Sequence, residues 1–269
     1  LQCLDASSYI YDTIKHKTFG ATFFSATLYP IEYYQKLLTK GHGETLKIKS
    51  PYDPNHLKLI FMNQVSTRFQ DRSASIQQVV DIIQTVISSK QGNYIVFFPS
   101  YQYLNQVLCE LKVGDDVQII TQYKDMRQAE RDETLDVFKN DLKQTNLAFF
   151  VMGGMFAEGI DYVGDMLHGV IVVGVGLPML SDVNQQLKDY YDQTFSKGFD
   201  YAYTYPGMNK VIQAVGRVIR RDDDYGVAIL IDDRFTTHTY KKLFPLEWKS
   251  YEIIKENTLL KKSLDHFWQ

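Results

Sequence analysis

Two cysteines in 269 residues, Cys3 and Cys109, are too few and too far apart to hold a thiolate zinc or iron–sulfur site within this chain. With so little cysteine the expected location is intracellular and reducing, in the cytoplasm. No GxxxxGK[ST] stretch occurs, so the chain has no P-loop of its own to cradle phosphates. HExxH and GxSxG are also missing. His16, His42, His56, His168, His238 and His266 are scattered, which speaks against a histidine-built metal centre. No apolar run reaches the ~18 residues of a membrane span; the longest, over residues 169–180, is broken by glycines and Pro178. Nor is there an excess of positive charge. At a formal net charge of −3, any nucleic-acid binding has to use a local groove and uncharged contacts. The sequence opens on Leu1 without a charged-then-apolar leader, as expected of a piece of a longer polypeptide.

What is present is a globular composition, 45% hydrophobic, enough for one large domain or two small ones with a real core. Short apolar runs at residues 18–25, 57–62, 94–98, 117–120, 147–151, 170–174 and 227–231 read as strands, several too continuously apolar to face water on either side. Amphipathic stretches at residues 31–39, 75–88, 102–111, 127–139, 181–195 and 208–220 read as helices. The alternation implies right-handed crossovers and an α/β fold, its mainly parallel sheet covered on both faces. Ligands of such folds bind beyond the carboxyl ends of the strands. A boundary is expected within residues 39–54, which are rich in Gly, Pro and Lys. After Phe235 the pattern is helical and ends in an amphipathic tail over residues 257–268.

The stretch "GMNKVIQAVGRVIRRDDDYG" poses the sharpest question. Continued as one helix, it puts Lys210, Gln213, Arg217 and Arg220 on one stripe and Val211, Ile212, Val215, Val218 and Ile219 on the other. Gly216 costs about 1 kcal/mol of helix propensity there. Either the cations meet an anion, or they pair with Asp222, Asp223 and Asp224 on a solvated surface. That acidic triplet in turn reads as a charged turn before a strand or as a magnesium site.

Three further segments sit where strands end. In "NYIVFFPSYQYLNQVL", Ser100 and Tyr101 open a helix, so the Ser100 hydroxyl either caps it or joins free amides around a phosphate. In "LAFFVMGGMFAEGIDYVG", a strand runs into Gly153, Gly154, Phe156, Glu158, Gly159 and Asp161. Those glycines allow close backbone approach, and the acids can accept from a ribose hydroxyl or an arginine; a plain glycine turn is the other reading. In "GATFFSATLYP", Ser25, Ala26 and Thr27 either cap the next helix or relay between ligands.

Taken in order, "FFSATLYP", "YIVFFPSY", "GGMFAEGID" and "QAVGRVIRRDDDYG" followed by "DDRF" resemble motifs III to VI of the second motor domain of the XPD/DinG family of superfamily 2 DNA helicases. The resemblance covers residues 19–235. It implies a RecA-like three-layer α/β/α domain over residues 46–269 with a helical C-terminal tail. Residues 1–45 would be a lead-in strand and helix that packs with a missing first motor domain. It implies half of an ATPase, with roles in DNA repair. ATP and Mg²⁺ would be shared with the first RecA-like domain of the same polypeptide, and single-stranded DNA would be the other partner of a monomeric protein that touches no membrane. Arg217 and Arg220 would then face the γ-phosphate, with Gln213 beside them. Glu158, Gly159 and Asp161 would contact nucleotide, and Ser100, Tyr101, Gly153, Gly154 and Phe156 would line the DNA path. Ser25, Ala26 and Thr27 would couple the two. An iron–sulfur cluster would belong to the parent and not to this chain. Two rivals predict other outcomes. A non-catalytic nucleic-acid or protein-binding module with this fold would show no turnover, and a dinucleotide enzyme, for which only Gly174 and Gly176 of "GVGLPM" speak, would bind NAD or FAD tightly.

Overall fold

The computed structural model describes residues 3–140, 144–154, 156 and 167–269. Among them the helices are α1 (Ser7–Lys17), α2 (Ile31–Thr39), α3 (Arg72–Ile87), α4 (Tyr101–Glu110), α5 (Gln128–Asn140), α6 (Asp182–Phe195), α7 (Tyr205–Val215), α8 (His238–Lys241) and α9 (Asn257–Phe267). The strands are β1 (Leu57–Met62), β2 (Asn93–Phe98), β3 (Val117–Thr121), β4 (Thr145–Val151), β5 (Gly169–Val173), β6 (Gly226–Ile231) and β7 (Tyr251–Ile254). The chain divides into two compact units, Leu1–Lys49 with Leu177–Asn209, and Ser50–Gly176 with Lys210–Gln269.

The second unit holds the sheet. Its order is β3-β4-β2-β5-β6-β1-β7, and every pairing is parallel. β2, β4, β5 and β6 are buried nearly throughout because helices or loops cover both faces, which is why they read as unbroken apolar runs. On one face Ile60, Val96, Phe98, Phe149, Ile171 and Ile229 join a single core with Val79 and Ile83 of α3, Tyr103 and Val107 of α4, and Leu260 and Leu264 of α9. The C-terminal tail is therefore docked on this unit. On the other face Phe61 stacks on Phe244 at 5.1 Å and meets Tyr251 edge-on at 5.1 Å. β4 and β2 are neighbours in the sheet, so the residues that follow each strand lie side by side at its carboxyl edge. Ligands of such folds bind beyond that edge.

The first unit is helical and rich in tyrosine. Tyr33 of α2 lies edge-on to Tyr34, Tyr201 and Tyr205, and Tyr191 of α6 packs on Phe195 and Tyr201. Burial among these rings raises the Tyr33 hydroxyl above its ordinary range. Asn209 donates to the Tyr34 hydroxyl at 2.6 Å. Pro206 has no amide to bond back to residue 202, and the chain meets this with a wider, π-helical turn over Asp200–Thr204 before α7.

Three expectations need correction. Residues 18–25 form no strand; they have no regular secondary structure, and Phe19, Phe23 and Phe24 are exposed, because a strand needs a neighbour for its amides and carbonyls. The region after Phe235 is not wholly helical: β7 adds a strand beside β1, tied by an ion pair between Lys58 and Glu252 at 2.5 Å. Finally, α7 stops at Val215 and does not reach Arg220. Among the described residues no helix is long and apolar enough to cross a membrane.

Candidate functional site

The end of α7 explains where the arginines go. Gly216 donates to Ile212 O at 2.8 Å, the last full helical bond, and then Arg217 and Val218 donate only three residues back, to Ala214 O and Val215 O at 3.3 and 3.1 Å. A Cβ on Gly216 would sit 3.2 Å from the Ile212 carbonyl oxygen, so the bare glycine permits this tightening. Arg217 consequently leaves the stripe and is 5% exposed, whereas Arg220 stands on the loop beyond it and is exposed. Gln213, still on α7, is half-buried.

That loop is clamped through its backbone. The buried Asp224 carboxylate accepts the amides of Arg220 and Arg221 at 2.7 and 2.8 Å, and the Tyr52 hydroxyl donates to the Arg220 carbonyl at 2.7 Å. Of the acidic triplet, Asp223 pairs with the Arg221 side chain at 2.6 Å. Asp224 thus holds the turn, and Asp223 pairs on the surface. Among the described residues no group of His, Cys, Asp or Glu is arranged to hold a metal ion.

At the sheet's carboxyl edge a second constellation assembles around Gln122, a 2% exposed residue just after β3. Its Nε2 donates to the Tyr101 hydroxyl at 3.0 Å, and its Oε1 accepts the Val151 amide at 3.0 Å. Gly154 closes a turn onto Val151 O at 3.0 Å, and a Cβ there would fall 2.8 Å from Gln122 Nε2. Tyr101, Gly153 and Gly154 are thereby brought together by a side chain that sequence reasoning passed over; its signal was a polar residue at the mouth of an apolar strand. Gly153 takes φ +74°, and its missing Cβ leaves room for Lys210, whose Nζ and Cε lie 3.1 Å from that position. Ser100 caps α4 by accepting the Tyr103 amide at 3.3 Å.

Phe156 does not present an aromatic surface. It is fully buried and stacks on Phe150 at 4.2 Å, because the ring gains more from the core than from water. Glu158, Gly159 and Asp161 lie outside the described residues. Ser25, Ala26 and Thr27 belong to the first unit, where Thr27 N donates to Ser25 Oγ at 3.2 Å; they do not cap α2, whose N-cap is Pro30 without a side-chain bond.

A buried ion pair closes the β1 and β6 ends. Arg234 donates to both oxygens of the fully buried Asp232 at 2.6 and 2.8 Å, and the Thr67 hydroxyl also donates to Asp232. Burial pushes the Asp232 carboxyl up, but the hydrogen bonds and charge of Arg234, with Thr67, bring it below the ordinary carboxylate range. Asp232 and Arg234 are the outer residues of the "DDR" in the sequence, and Arg68 pairs with the middle one, Asp233, at 2.7 Å.

Comparison with known proteins gives the family. Residues 83–251, more than half of the chain, match the family model for the helicase C-terminal domain. The ATP-dependent DNA helicase CHL1 of Debaryomyces hansenii is 27% identical over 196 residues, covering 64% of this chain and 24% of its own length. The XPD helicase subunit of general transcription and DNA repair factor IIH from Arabidopsis thaliana is 28% identical over 267 residues, 91% of this chain and 34% of that protein. The 3'-5' exonuclease DinG of Staphylococcus epidermidis is 26% identical over 263 residues, 94% of this chain and 28% of that protein. The chain thus spans about a quarter to a third of the length of these curated relatives. A solved apo structure of XPD has a TM-score of 0.72 at 20% identity, covering 94% of this chain and 52% of that one, and S. tokodaii Xpd4 gives 0.67 at 19%, covering 93% and 47%. The fold is RecA-like, and the chain belongs to the helicase C-terminal domain family.

Proposed function

We propose that this chain is the second motor domain of an ATP-dependent DNA helicase and completes an ATPase only together with a first motor domain that supplies the P-loop and the Mg²⁺ ligands. The observation that carries the reading is the loop after α7, where two arginines follow a helix end and the Arg220 backbone is fixed by Asp224. During phosphoryl transfer, charge spreads over the equatorial oxygens, and a fixed guanidinium there contributes on the order of 10³ to 10⁵ in rate. Arg217 and Arg220 take that role, with Gln213 beside them on α7. A clamp on the backbone suits it, since little order remains to be imposed on the loop at the moment of reaction.

The single-stranded DNA path runs along the carboxyl edge of the sheet past Ser100, Tyr101, Gly153 and Gly154, where hydroxyls, turn amides and the nearby Lys210 follow a phosphate chain with little sequence preference. Phe156 supports the turn from within the core. Glu158, Gly159 and Asp161 take the nucleotide-contact role that the resemblance implies, and Ser25, Ala26 and Thr27, on residues 1–45, meet the first motor domain. An iron–sulfur cluster, where the parent has one, is held outside this chain.

The reading is tested by measuring DNA-stimulated ATP hydrolysis for the full-length polypeptide and for the 269-residue chain. The full-length protein turns over ATP and the chain alone does not, binding ATP only weakly. Submicromolar ATP affinity by the chain alone would show that it carries its own phosphate cradle and would sink the proposal.

A further inference from the structure

Residues 50–56 are the first stretch of the second unit, and they lead directly into β1. Local bonds stiffen them. Tyr52 N donates to Ser50 Oγ at 3.3 Å, the Asp53 carboxylate accepts the Asn55 amide at 2.9 Å, and His56 N bonds back to Asp53 O at 3.1 Å. Pro54 narrows the turn further, because its ring fixes φ. The segment reaches the arginine loop at two points. The half-buried Tyr52 donates its hydroxyl to the Arg220 carbonyl at 2.7 Å, and the His56 ring stacks on Tyr225 at 3.9 Å. Tyr225 follows Asp224, the residue that holds the same loop from within.

Arg220 lies beyond the end of α7 at Val215, so no helix sets the direction of its side chain. Two rigid peptide planes flank its Cα instead, and φ and ψ describe how they are turned. The plane before it is pinned by the Arg220 amide on Asp224. The plane after it carries the Arg220 carbonyl and the Arg221 amide, and it is pinned at both ends, by Tyr52 and by Asp224. Held only at the Arg221 amide, that plane could rock; the Tyr52 hydroxyl restrains it. The direction of the Arg220 Cα–Cβ bond is thereby set, while the side chain beyond it is exposed. A cation that must meet developing charge gains from a fixed root, since less freedom is lost when it docks.

We propose that Tyr52 is a positioning residue for Arg220: its hydroxyl fixes the peptide that follows Arg220, so that the guanidinium leaves the loop in one direction. The segment that enters the second unit thus contributes to the rate without touching nucleotide. The proposal rests on the reading that Arg220 serves the transferring phosphoryl group.

The test uses the full-length polypeptide and a double-mutant cycle in single-strand-stimulated ATP hydrolysis, with Tyr52→Phe, Arg220→Ala and the two combined. Tyr52→Phe deletes only the hydroxyl and keeps the ring, and an unchanged Tm verifies the fold. It should lower kcat by about 2- to 10-fold, the share of one neutral hydrogen bond. KM for ATP and affinity for oligothymidine should stay within about twofold, because neither binding step uses the hydroxyl. In the Arg220→Ala background the change should have no further effect, since a group that acts only through Arg220 has nothing left to position. Equal losses in the two backgrounds would assign the hydroxyl to the general fold and refute the proposal. Wild-type turnover in Tyr52→Phe beside a large loss in Arg220→Ala would also refute it, and would leave the arginine reading standing. If Arg220→Ala itself turns over like wild type, both fall.

Discussion

The Asp224 carboxylate accepts the backbone amide of Arg220 at 2.7 Å, and this bond, with its twin to Arg221, sets the loop that carries the exposed arginine. Asp224→Ala leaves two amides without their acceptor and should cost about 1–3 kcal/mol in chemical denaturation. In the full-length protein it should also lower DNA-stimulated turnover by about tenfold or more, since small misplacements of a charge-stabilising group are expensive. Asp224→Asn keeps one acceptor oxygen and should recover part of both losses. Unchanged turnover in a loosened Asp224→Ala protein would show that the loop geometry is irrelevant to the rate.

The arginine loop also marks where sequence reading stopped. The period of residues 208–220 was continuous enough to extend α7 through Arg220, but periodicity does not register a helix end at Gly216 followed by a loop whose amides bond to the Asp224 carboxylate. Elsewhere the pattern sufficed: β1 and α2 have the bounds expected from their apolar periodicity. β7 was hidden because its outward residues include Glu252 and Ile253, so an edge strand read as part of an amphipathic helix. Residues 18–25 misled in the other direction, having strand composition and no strand partner among the described residues. Gln122 was invisible for a different reason, as its meaning depends on Tyr101 and Val151, which are brought to it only by the sheet.

Gln122 should accordingly be sensitive. Gln122→Leu preserves bulk but removes the acceptor of the Val151 amide and the donor to Tyr101. A loss of about 1–3 kcal/mol is expected by denaturant titration, together with weaker oligothymidine binding as the Tyr101 and Gly154 positions drift apart. Full affinity in a destabilised Gln122→Leu chain would confine the residue to a structural part.

The Asp232–Arg234 pair yields a stability prediction with a defined sign. The folded carboxyl titrates below its unfolded value of about 3.9, so its contribution is fully present above that pH and is lost as pH falls through the folded value. Below about pH 4 the Tm of the wild-type chain should therefore fall more steeply than that of Asp232→Asn. Arg234→Met, which strands a buried carboxylate, should cost about 3–5 kcal/mol at neutral pH. Parallel acid profiles for wild type and Asp232→Asn would contradict the assignment.

The central claim is that Arg217 and Arg220 stabilise the transferring phosphoryl group. It is tested most directly by single-strand-stimulated ATP hydrolysis in the full-length protein, comparing wild type with Arg217→Ala and Arg220→Ala at matched folding and with DNA affinity measured alongside. Loss of about 10³-fold or more in turnover, with DNA affinity within a few-fold, is the predicted result. Turnover within about tenfold of wild type in both variants, where an arginine at the γ-phosphate requires far more, would mean that these arginines serve the fold and not the reaction.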